Sequence, residues 1–579
     1  MSLTPTQCRV AYFSMEICLE QAIPTYSGGL GVLAGDTLRS MADLGVPVVA
    51  VTLLHRKGYF HQTLDATGQQ TEQSVQWHPE RDLEPVSARA TVTIEGRDVH
   101  VAAWKYSIRG VSGHVVPVYL LDTMLPENGD WDRTLTDTLY GGDDHYRLCQ
   151  EIVLGMGGAS LMQALGCADQ TIFHLNEGHS ALLTLELLEQ RVAERPGFEL
   201  GDADFEAIRS RCIFTTHTPV PAGHDKFPLD MVRKVLGDDR VALLETVGGV
   251  HEGMLNMTHL ALNLTRFVNG VAMRHGEVSR GMFPDYPINS ITNGVHATTW
   301  TGPAFAELFD RRIPEWRRDS LYLRYAVSIP LQEVREAHMR SKVALLTEVE
   351  RRTGVQLDPT LMTIGFARRA TPYKRADLIF SDLERLASIA NQVGKIQIVF
   401  GGKAHPHDGG GKELIRRIFA AREELADSVK VVYVENYEMM FAGQMTSGVD
   451  LWLNTPMRPL EASGTSGMKA ALNGVPSFSV LDGWWVEGHV EGVTGWSIGA
   501  ADPAADPGRD AADLYMKLER VILPLFYGMP FAYAEVMRSA ISLNGSFFNT
   551  QRMVRQYVHN AYFPGGLPMV PELPATVMI

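Results

Sequence analysis

Short apolar segments alternate with longer amphipathic segments throughout the second half of this sequence, and this pattern constrains the fold more than any other. Four runs rich in Val, Ile and Phe are strand candidates: Met362–Phe366, Ile396–Phe400, Val429–Val434 and Leu451–Leu453. Helix-like stretches lie between them, such as Ala376–Val393 and Lys412–Ala426. Strands and helices in this alternation predict a parallel sheet that helices cover on both faces.

The first half repeats the alternation with interruptions. Its strand candidates are Val10–Ser14, Val48–Leu54, Thr171–Leu175 and Cys212–Thr216. Two further runs of alternating polarity predict a hairpin formed by Ala88–Ile94 and Val99–Tyr106. Both halves of the chain are therefore predicted to be of the α/β class.

The length of 579 residues is too great for one hydrophobic core. We place the boundary near residue 300, which gives one domain at 1–300 and a second at 301–579. The charged helical segment Asp310–Thr353 would bridge them, and the Pro-rich segment Phe563–Pro574 would form an extended tail. Two α/β domains that face each other form a cleft lined by the carboxyl ends of both sheets, and ligands bind there.

Charge and cysteine content narrow the possible partners. The sequence has 52 basic and 67 acidic residues, and its net charge of −15 disfavours non-specific nucleic-acid binding. Its five cysteines form no C-x-x-C pair and none follows Cys212, so neither a disulfide framework nor a cysteine-based zinc site is expected. The N-terminus lacks a signal-peptide pattern, and no run of 18 apolar residues occurs. These features predict a cytoplasmic protein without a membrane partner.

The segment Glu461-Ala-Ser-Gly-Thr-Ser-Gly-Met-Lys469 follows the strand candidate Leu451–Leu453 and leads into a helical run, Met468–Asn473. Its residues Gly464–Gly467 form a small, flexible turn at a helix start, where several backbone N–H groups can face one anion. A lysine beside such a cradle can form a Schiff base with an aldehyde cofactor that carries a phosphate. An ordinary helix start followed by a surface lysine fits the spacing as well.

A basic loop from Arg368 to Arg375 follows the strand candidate Met362–Phe366, so it lies at a carboxyl end of the predicted sheet. Four of its eight residues are cations: Arg368, Arg369, Lys374 and Arg375. In a buried cleft these charges need compensating anions, and two phosphate groups would supply them. A solvated basic turn is the alternative.

Other segments carry weaker signals. The run Ser27–Gly31 opens a helical segment and fits either a second anion site or a tight turn. Polar residues end two apolar strands at His174–His179 and Thr215–Thr218, where a histidine is either structural or catalytic. Thr292–Gly294 marks a turn near the domain boundary. The His405–Asp408 segment lacks a convincing third ligand, so no metal site is expected.

Taken in their order along the chain, these blocks resemble the glycogen/starch (α-glucan) phosphorylase family. The segment Glu461–Lys469 is similar to the cofactor-lysine motif of that family. The other matching blocks are Gly28–Gly31 with Ser40–Gly45, Asn269–Ala272, Thr292–Gly294, Gly401–Ala404 and Glu435–Tyr437. The chain is shorter than the familiar animal, plant and enteric members and resembles a short bacterial and archaeal type. We therefore expect no N-terminal regulatory segment and no allosteric control of the animal kind.

The resemblance implies two Rossmann-like domains of the GT-B type, facing each other across an active-site cleft. It implies retaining phosphorolysis of an α-1,4-glucan, either glycogen or maltodextrin, to α-D-glucose 1-phosphate, without the carboxylate pair of a glycosidase. It also implies pyridoxal 5′-phosphate, whose phosphate serves as a proton relay to the substrate phosphate. Two phosphates in contact repel by on the order of several kcal/mol at low dielectric, so cationic side chains must accompany them. Family analogy favours a homo-oligomer.

The resemblance also assigns residues by motif position. The implied cofactor-binding residues are Lys469, which would carry the cofactor, Arg368, Thr465, Ser466 and Tyr437. The substrate phosphate would contact Gly29, Arg369 and Lys374. The glucosyl unit would contact Tyr373, His217, Asn293, Glu461, Ser463 and Gly464. The implied catalytic residues are Lys469, Arg369, Lys374 and His217.

Some positions depart from the family pattern. Arg368 stands where well-known members have lysine, and Cys18 stands where they have a tyrosine near the cofactor. Trp484 and Trp485 occupy a block in which their rings would either stack on sugar or pack in the core.

Two rival functions stay open from the sequence. A GT-B glycosyltransferase that uses a nucleotide sugar, similar to glycogen synthase, would share the fold and the anion sites but has no use for the Schiff-base lysine. A catalytically inactive glucan-binding relative is the second rival. The joint presence of Lys469, Arg369 and Lys374 disfavours it.

Overall fold

The computed structural model describes residues 8–167, 170–195, 200–499 and 507–565. Most of the predicted Pro-rich tail, Phe563–Pro574, lies outside these ranges. Within them, no helix is both long enough and apolar enough to cross a lipid bilayer.

Twenty strands form the sheets of the described chain. The first half contains β1 (Val10–Ser14), β2 (Val48–Leu53), β3 (His61–Leu64), β4 (Gln70–Gln73), β5 (Glu84–Ile94), β6 (Arg97–Arg109), β7 (Val115–Asp122), β8 (Ile172–Asn176), β9 (Cys212–Thr215), β10 (Lys226–Pro228), β11 (Val250–His251), β12 (Met254–Asn256), β13 (Phe267–Gly270) and β14 (Ile288–Ser290). The second half contains β15 (Met362–Ala367), β16 (Ile396–Gly401), β17 (Lys430–Val434), β18 (Leu451–Asn454), β19 (Ser477–Val480) and β20 (Gly495–Ile498). The strands predicted from apolar runs are all present, and the predicted hairpin is β5–β6.

The first half is built on a nine-stranded sheet in the order β14-β13-β9-β8-β1-β2-β7-β6-β5. Strands β14 to β7 run parallel, while β6 and β5 are antiparallel additions at one edge. Strand β1 lies at the centre, pairs with β2 and β8, and is buried along its whole length. A strand covered on both faces is a continuous apolar run in the sequence, which is why β1 was predictable.

The second half is built on a six-stranded parallel sheet in the order β17-β16-β15-β18-β19-β20. Numbered from β15, this is the strand order 3-2-1-4-5-6 of a Rossmann fold, in which the direction of winding reverses between the first and fourth strands. The reversal leaves a crevice outside the carboxyl ends of β15 and β18. The predicted α/β class with two Rossmann-like sheets is confirmed.

The α-helices of the first half are Gly29–Asp43, Pro79–Asp82, Asp144–Ile152, Gly158–Ala164, Leu183–Glu194, Asp202–Arg209, Leu229–Leu236, Asp238–Thr246, Met257–Asn263 and Met273–Met282. Those that follow are Ala297–Trp300, Pro303–Arg312, Leu331–Thr353, Leu383–Gln392, Gly409–Glu424, Met439–Gly448, Thr465–Leu472, Trp485–Gly488, Pro507–Lys517, Leu523–Gly528, Pro530–Ser539 and Thr550–Tyr557.

Helix ends differ from the predicted ones where a side chain caps the backbone. The helix predicted from Ala376 begins at Leu383, because the Asp382 carboxylate accepts the Arg385 amide. The charged segment Asp310–Thr353 is not one helix but two, separated by 3-10 turns at Ser320–Ser328.

The last α-helix of the described chain, Thr550–Tyr557, packs against the first half of the chain. Met553, Val554 and Tyr557 of the helix Thr550–Tyr557 are buried in a core that also contains Val10 and Leu38. Trp484 and Trp485 belong to the hydrophobic core of the second half. Of the two alternatives for them, core packing is therefore the one observed. The domain boundary near residue 300 stays a prediction.

Candidate active site

The candidate site lies where the carboxyl ends of both sheets meet. The basic loop follows β15, the Glu461–Lys469 segment follows β18, and the segment Glu435–Tyr437 follows β17. From the first half, Glu16 follows β1, the segment Asn176–His179 begins at the end of β8, and His217 follows β9. Within each sheet the predicted site segments thus come together, because parallel strands place their carboxyl ends at one edge.

Glu461 is the anion around which the basic loop is organised. Its Oε2 lies 2.6 Å from Nη1 of Arg368 and 2.5 Å from Nζ of Lys374, and all three side chains are almost fully buried. Although burial acts to raise its pKa, the charges of Arg368 and Lys374 lower the pKa of Glu461 to about 2. The carboxylate is therefore ionised and forms an ion pair with both cations, whose combined charge exceeds its own by one.

The remaining cations of the loop divide into one that is paired and one that is not. Arg375 donates to the Asp510 carboxylate at 2.7 Å and to the backbone oxygens of Thr455 and Pro456. Within the described ranges, Arg369 forms neither an ion pair nor a hydrogen bond. Ion pairs within the fold therefore engage three of the four cations that were expected to need phosphate. Arg369 is left as the uncommitted positive charge.

Arg369 faces the glycine-rich turn across the cleft. A β-carbon added to Gly28 would lie 3.3 Å from Nη2 of Arg369, whereas one added to Gly29 would meet no atom within 4 Å. Arg369 is exposed to solvent, although many protein atoms lie near its guanidinium in the cleft. Burial acts to lower its pKa, but Tyr59 and Glu16 raise it, so its charge is retained. An open space therefore lies between this cation and a helix start.

That helix start is shaped by Glu16. The helix Gly29–Asp43 begins after Gly28, and no side chain caps its first amides. Glu16 Oε2 accepts the amides of Ser27 at 2.5 Å and Gly28 at 3.2 Å, while its Oε1 accepts the Tyr140 hydroxyl at 3.0 Å. The buried carboxylate thus occupies the deeper part of the turn and leaves the following amides for an external anion. Glu16 was not predicted from the sequence, because its role depends on how the Ser27–Gly28 turn and Tyr140 fold against the end of β1.

Lys469 is buried between the two halves. Its Nζ lies 3.5 Å from the centroid of the Trp300 ring, and the Trp300 indole donates to Asp36 at 2.7 Å. Burial lowers the pKa of the ammonium to about 8, although Asp36 and Cys18 act to raise it. In the described chain this ammonium has no hydrogen bond or ion pair. At pH 7 about one tenth of a lysine with this pKa is neutral, and that form is nucleophilic.

The helix Thr465–Leu472, which carries Lys469, starts from a left-handed glycine. Gly464 has φ 84° and forms the N-cap, and no side chain caps the Thr465 and Ser466 amides. The Ser463 hydroxyl is buried and has no hydrogen-bond partner among the described residues. Ser466 Oγ accepts the Trp452 indole at 3.1 Å, so its position is fixed. The start of this helix therefore offers free amides and an orphaned hydroxyl to an anion.

Tyr437 and Tyr373 flank the basic loop. A β-carbon added to Gly401 would lie 2.9 Å from the Tyr437 ring, so glycine is needed at the end of β16 for the ring to pack there. Burial raises the pKa of the Tyr437 phenol, while the nearby Arg368 acts to lower it. The ring of Tyr373 lies 4.4 Å from Nζ of Lys374.

The polar residues of the first half form a hydrogen-bonded set. His217 donates from Nε2 to Asn176 Oδ1 at 2.7 Å, and its backbone amide donates to Glu177 Oε2 at 2.7 Å. Burial lowers the pKa of His217 to about 3, so the ring is neutral and Nδ1 is the nitrogen that can accept. Burial also raises the pKa of Glu177 to about 7, although hydrogen bonds to its carboxylate act to lower it. Glu177 has φ 74°, a backbone conformation that costs about 1 kcal/mol or more outside glycine.

Asn293 lies on the turn after β14. Its buried side-chain oxygen has no hydrogen-bond partner in the part of the chain that the structure describes, and its backbone amide donates to Val271 O at 3.0 Å. Asp482, also missed in the sequence, accepts the Glu461 amide at 2.9 Å, and burial raises its pKa to about 6. Across the described ranges, no three His, Cys, Asp or Glu side chains are placed to hold a metal ion.

Comparison with known proteins gives a consistent result. A profile of the carbohydrate phosphorylase family matches residues 237–493. The maltodextrin phosphorylase of Thermococcus litoralis is 40% identical over 96% of this chain and 70% of its own length. The glycogen phosphorylase of Mycobacterium tuberculosis is 38% identical over 96% of this chain and 71% of its own length. The glycogen phosphorylase of Aquifex aeolicus is 34% identical over 96% of this chain and 86% of its own length. The predicted family is confirmed: this chain belongs to the carbohydrate phosphorylase family.

Proposed function

We propose that this protein is an α-glucan phosphorylase, a hexosyltransferase that cleaves an α-1,4-glucan with inorganic phosphate and releases α-D-glucose 1-phosphate with retention. The observation that carries the proposal is the pairing of two uncommitted basic groups in one cleft. Lys469 is buried without an ion pair in the described chain, and Arg369 stands unpaired beside the open helix start at Gly29. A phosphorylase needs both, one for its cofactor and one for phosphate.

The residues around Lys469 fit pyridoxal 5′-phosphate. The amine has a pKa of about 8, so a useful fraction is unprotonated at neutral pH. The uncapped amides of Thr465 and Ser466 and the orphaned Ser463 hydroxyl suit a phosphate group, and Arg368 adds a buried positive charge. Tyr437, packed against Gly401, would border the cofactor ring. When bound, the cofactor supplies a phosphate that exchanges protons with the substrate phosphate.

Arg369 and the helix start at Gly29 would hold the substrate phosphate. The helix Gly29–Asp43 presents its first amides and the positive end of its dipole to the open space, and Arg369 adds a full charge beside it. Lys374 is shared with Glu461, so an incoming phosphate would compete for it. This arrangement would hold one phosphate oxygen toward the glucosyl carbon and another toward the leaving oxygen. The phosphate proton would pass to that leaving oxygen as the glycosidic bond breaks.

The glucosyl unit would lie against the neutral and anionic groups of the cleft. His217 offers Nδ1 as an acceptor, because its Nε2 already donates to Asn176. Asn293 offers an unpaired amide oxygen, and Ser463 and Gly464 offer a hydroxyl and a backbone edge. Glu461 and Tyr373 complete the set. Glu461 is committed to two cations, so we assign it to binding rather than to nucleophilic attack.

We further propose a cytoplasmic location and a homo-oligomeric assembly. All five cysteines lie in the described ranges and carry free thiols, which fits a reducing compartment. Large apolar side chains are exposed at Tyr325, Val327 and Phe531, which fits burial against a second copy.

One experiment separates this proposal from its rivals. The purified protein should absorb in the near-UV, and borohydride followed by peptide mass mapping should attach the cofactor to Lys469. Lys469→Ala should lose the absorbance, whereas Lys395→Ala, at an exposed lysine, should keep it. Release of glucose 1-phosphate from maltodextrin should require inorganic phosphate. A protein that transfers glucose only from a nucleotide sugar and binds no pyridoxal phosphate would refute the proposal.

A further inference from the structure

Arg552 holds the backbone of the turn that carries Asn293. Its guanidinium donates four hydrogen bonds, to Thr292 O at 2.6 Å, Asn293 O at 2.9 Å, Phe547 O at 3.0 Å and Gln556 Oε1 at 2.9 Å. It also stacks on the Phe547 ring, 4.8 Å from the centroid. Two successive carbonyl groups of one turn are thus fixed by the planar fork of a single side chain.

This cation has no carboxylate partner. Arg552 forms no ion pair with any described residue, and burial lowers its pKa to about 10, although Glu487 acts to raise it. Burying an unpaired charge has a free-energy cost, and hydrogen bonds to carbonyl groups recover only part of it. A neutral side chain at this position would avoid that cost. The two turn carbonyls, however, would then lose their donor.

The turn is fixed from its other sides as well. Glu487, from the second half of the chain, accepts the Thr292 hydroxyl at 2.7 Å and the Met273 amide at 2.9 Å. A β-carbon added to Gly294 would lie 2.2 Å from the Asn549 backbone, so the turn packs directly on the segment that leads into the helix Thr550–Tyr557. Elements from three distant parts of the sequence therefore meet at Thr292 and Asn293.

We propose that Arg552 is a positioning residue for the glucosyl subsite, which it serves by fixing the Thr292–Asn293 backbone and so the direction of the Asn293 side chain. Arg552 donates to the backbone of this turn and not to the Asn293 side chain, so its effect passes through the backbone of Asn293. This inference rests on the proposed function, because Asn293 is assigned to the glucosyl unit there. Its consequence is a selective one: loss of Arg552 should weaken use of the glucan while leaving the phosphate site unchanged.

Arg555 provides a matched control. It lies one turn further along the same helix, is exposed, and pairs with Asp319 at 3.1 Å. Both arginines border one surface cavity of about 380 Å³. The cavity gives a small cation in solution a route to the position of a deleted Arg552 guanidinium.

The test compares Arg552→Ala, Arg552→Lys and Arg555→Ala in the cofactor-loaded enzyme, with wild-type phosphorolysis as the reference. We expect kcat/KM for maltodextrin to fall by about 100-fold in Arg552→Ala, because misplacement of a binding group by about 1 Å has that effect. In the same variant the KM for phosphate should stay within about twofold of the wild-type value. In Arg555→Ala, every kinetic parameter should stay within about twofold of wild type. Arg552→Lys, which can bond one carbonyl at a time, should lose about tenfold. Added guanidinium chloride at low concentration should restore part of the activity of Arg552→Ala alone.

Other outcomes are equally decisive. An inactive wild-type enzyme would refute the proposed function, and with it the glucosyl subsite that Arg552 is proposed to position. Equal kcat/KM values in Arg552→Ala and Arg555→Ala would overturn the positioning role. A loss in Arg552→Ala that affects phosphate and maltodextrin alike, with no rescue by Lys or guanidinium, would show a merely structural role and overturn it too.

Discussion

The ammonium of Lys469 lies 3.5 Å from the centre of the Trp300 ring, with no carboxylate bonded to it in the described chain. Cation–π attraction offsets part of the cost of burying this charge, but the pKa of about 8 shows that burial dominates. The amine is therefore held in the core at the expense of stability. The burial of this amine can therefore be tested by measuring stability, without measuring catalytic activity.

We predict that Lys469→Met is more stable than the wild type when both proteins lack cofactor. The pKa of Lys469 is about 8 in the folded chain and 10.5 in its ordinary state. Between pH 8 and pH 10.5 the unfolded chain therefore binds more protons than the folded chain. Wild-type stability should therefore rise with pH over that range. The advantage of the Met variant should be about 3 kcal/mol at pH 7 and shrink towards pH 10. Urea unfolding at several pH values measures it, and Lys395→Met should show no such trend. A difference that stays constant with pH would contradict the prediction.

Glu461→Gln should destabilise the protein even though the side chains have the same shape. The variant leaves Arg368 and Lys374 buried without their carboxylate, and removal of one partner from a buried ion pair costs about 3 kcal/mol. Inorganic phosphate should stabilise the variant more than the wild type, because an anion can then replace the lost charge. Thermal unfolding with and without phosphate measures both effects. Glu413→Gln, at an exposed ion pair, is the control and should change little.

The same pair predicts an acid dependence. The pKa of Glu461 is about 2 in the folded chain and 4.5 in its ordinary state, so its contribution is complete above pH 4.5 and is lost as pH falls toward 2. The stability difference between wild type and Glu461→Gln should thus be about 1 kcal/mol smaller at pH 3.5 than at pH 7. An equal difference at both pH values would mean that Glu461 is not ionised by its two neighbours.

Substitutions at two glycines in the first turn of the helix Gly29–Asp43 should distinguish an effect on phosphate binding from an effect on stability. A β-carbon at Gly29 would meet nothing within 4 Å, so Gly29→Ala should leave the unfolding free energy within about 0.5 kcal/mol of wild type. The added methyl group would intrude on the space assigned to phosphate, and the KM for phosphate should rise about tenfold. A β-carbon at Gly31 would lie 2.7 Å from both Glu16 and Tyr26, so Gly31→Ala should instead lose about 1–3 kcal/mol of stability. An unchanged KM in Gly29→Ala would place the phosphate elsewhere.

The sequence predicted best what depends on neighbours along the chain. The buried run Val10–Ser14 was assigned as a strand with its observed ends, because a strand covered on both faces needs no partner to be recognised. The pairing of Lys374 with Glu461 could not be found, since it spans 87 positions and depends on how β15 and β18 are placed. The sequence showed a crowded basic loop and suggested phosphates to neutralise it. The fold instead pairs three of the four cations with carboxylates, and this difference isolates Arg369.

Gln70 illustrates how strongly the two halves of the chain are joined near that loop. From the hairpin β3–β4, its buried carboxamide donates to Ala404 O at 2.9 Å and accepts the Ala404 amide at 3.0 Å, as a neighbouring strand would. It also accepts from Gln62, whose own amide group donates to Gly402 O at 3.0 Å. The 402–404 segment in turn bonds to the basic loop, where the Ala370 amide donates to Lys403 O at 2.9 Å.

We therefore predict that Gln70→Ala lowers the unfolding free energy by about 2–3 kcal/mol, because it leaves the buried amide and carbonyl of Ala404 without partners. Thr71→Ala is the matched control on the same strand: Thr71 is exposed, bonds only to Thr63 across the hairpin and should lose less than about 0.5 kcal/mol. Gln62→Ala and Gln70→Ala should be non-additive, because their carboxamides bond to each other. Urea unfolding of the single and double variants measures the coupling. Strict additivity would mean that the two glutamines stabilise the contact between the halves independently. If Gln70→Ala lost no more stability than Thr71→Ala, the hairpin β3–β4 would not stabilise that contact.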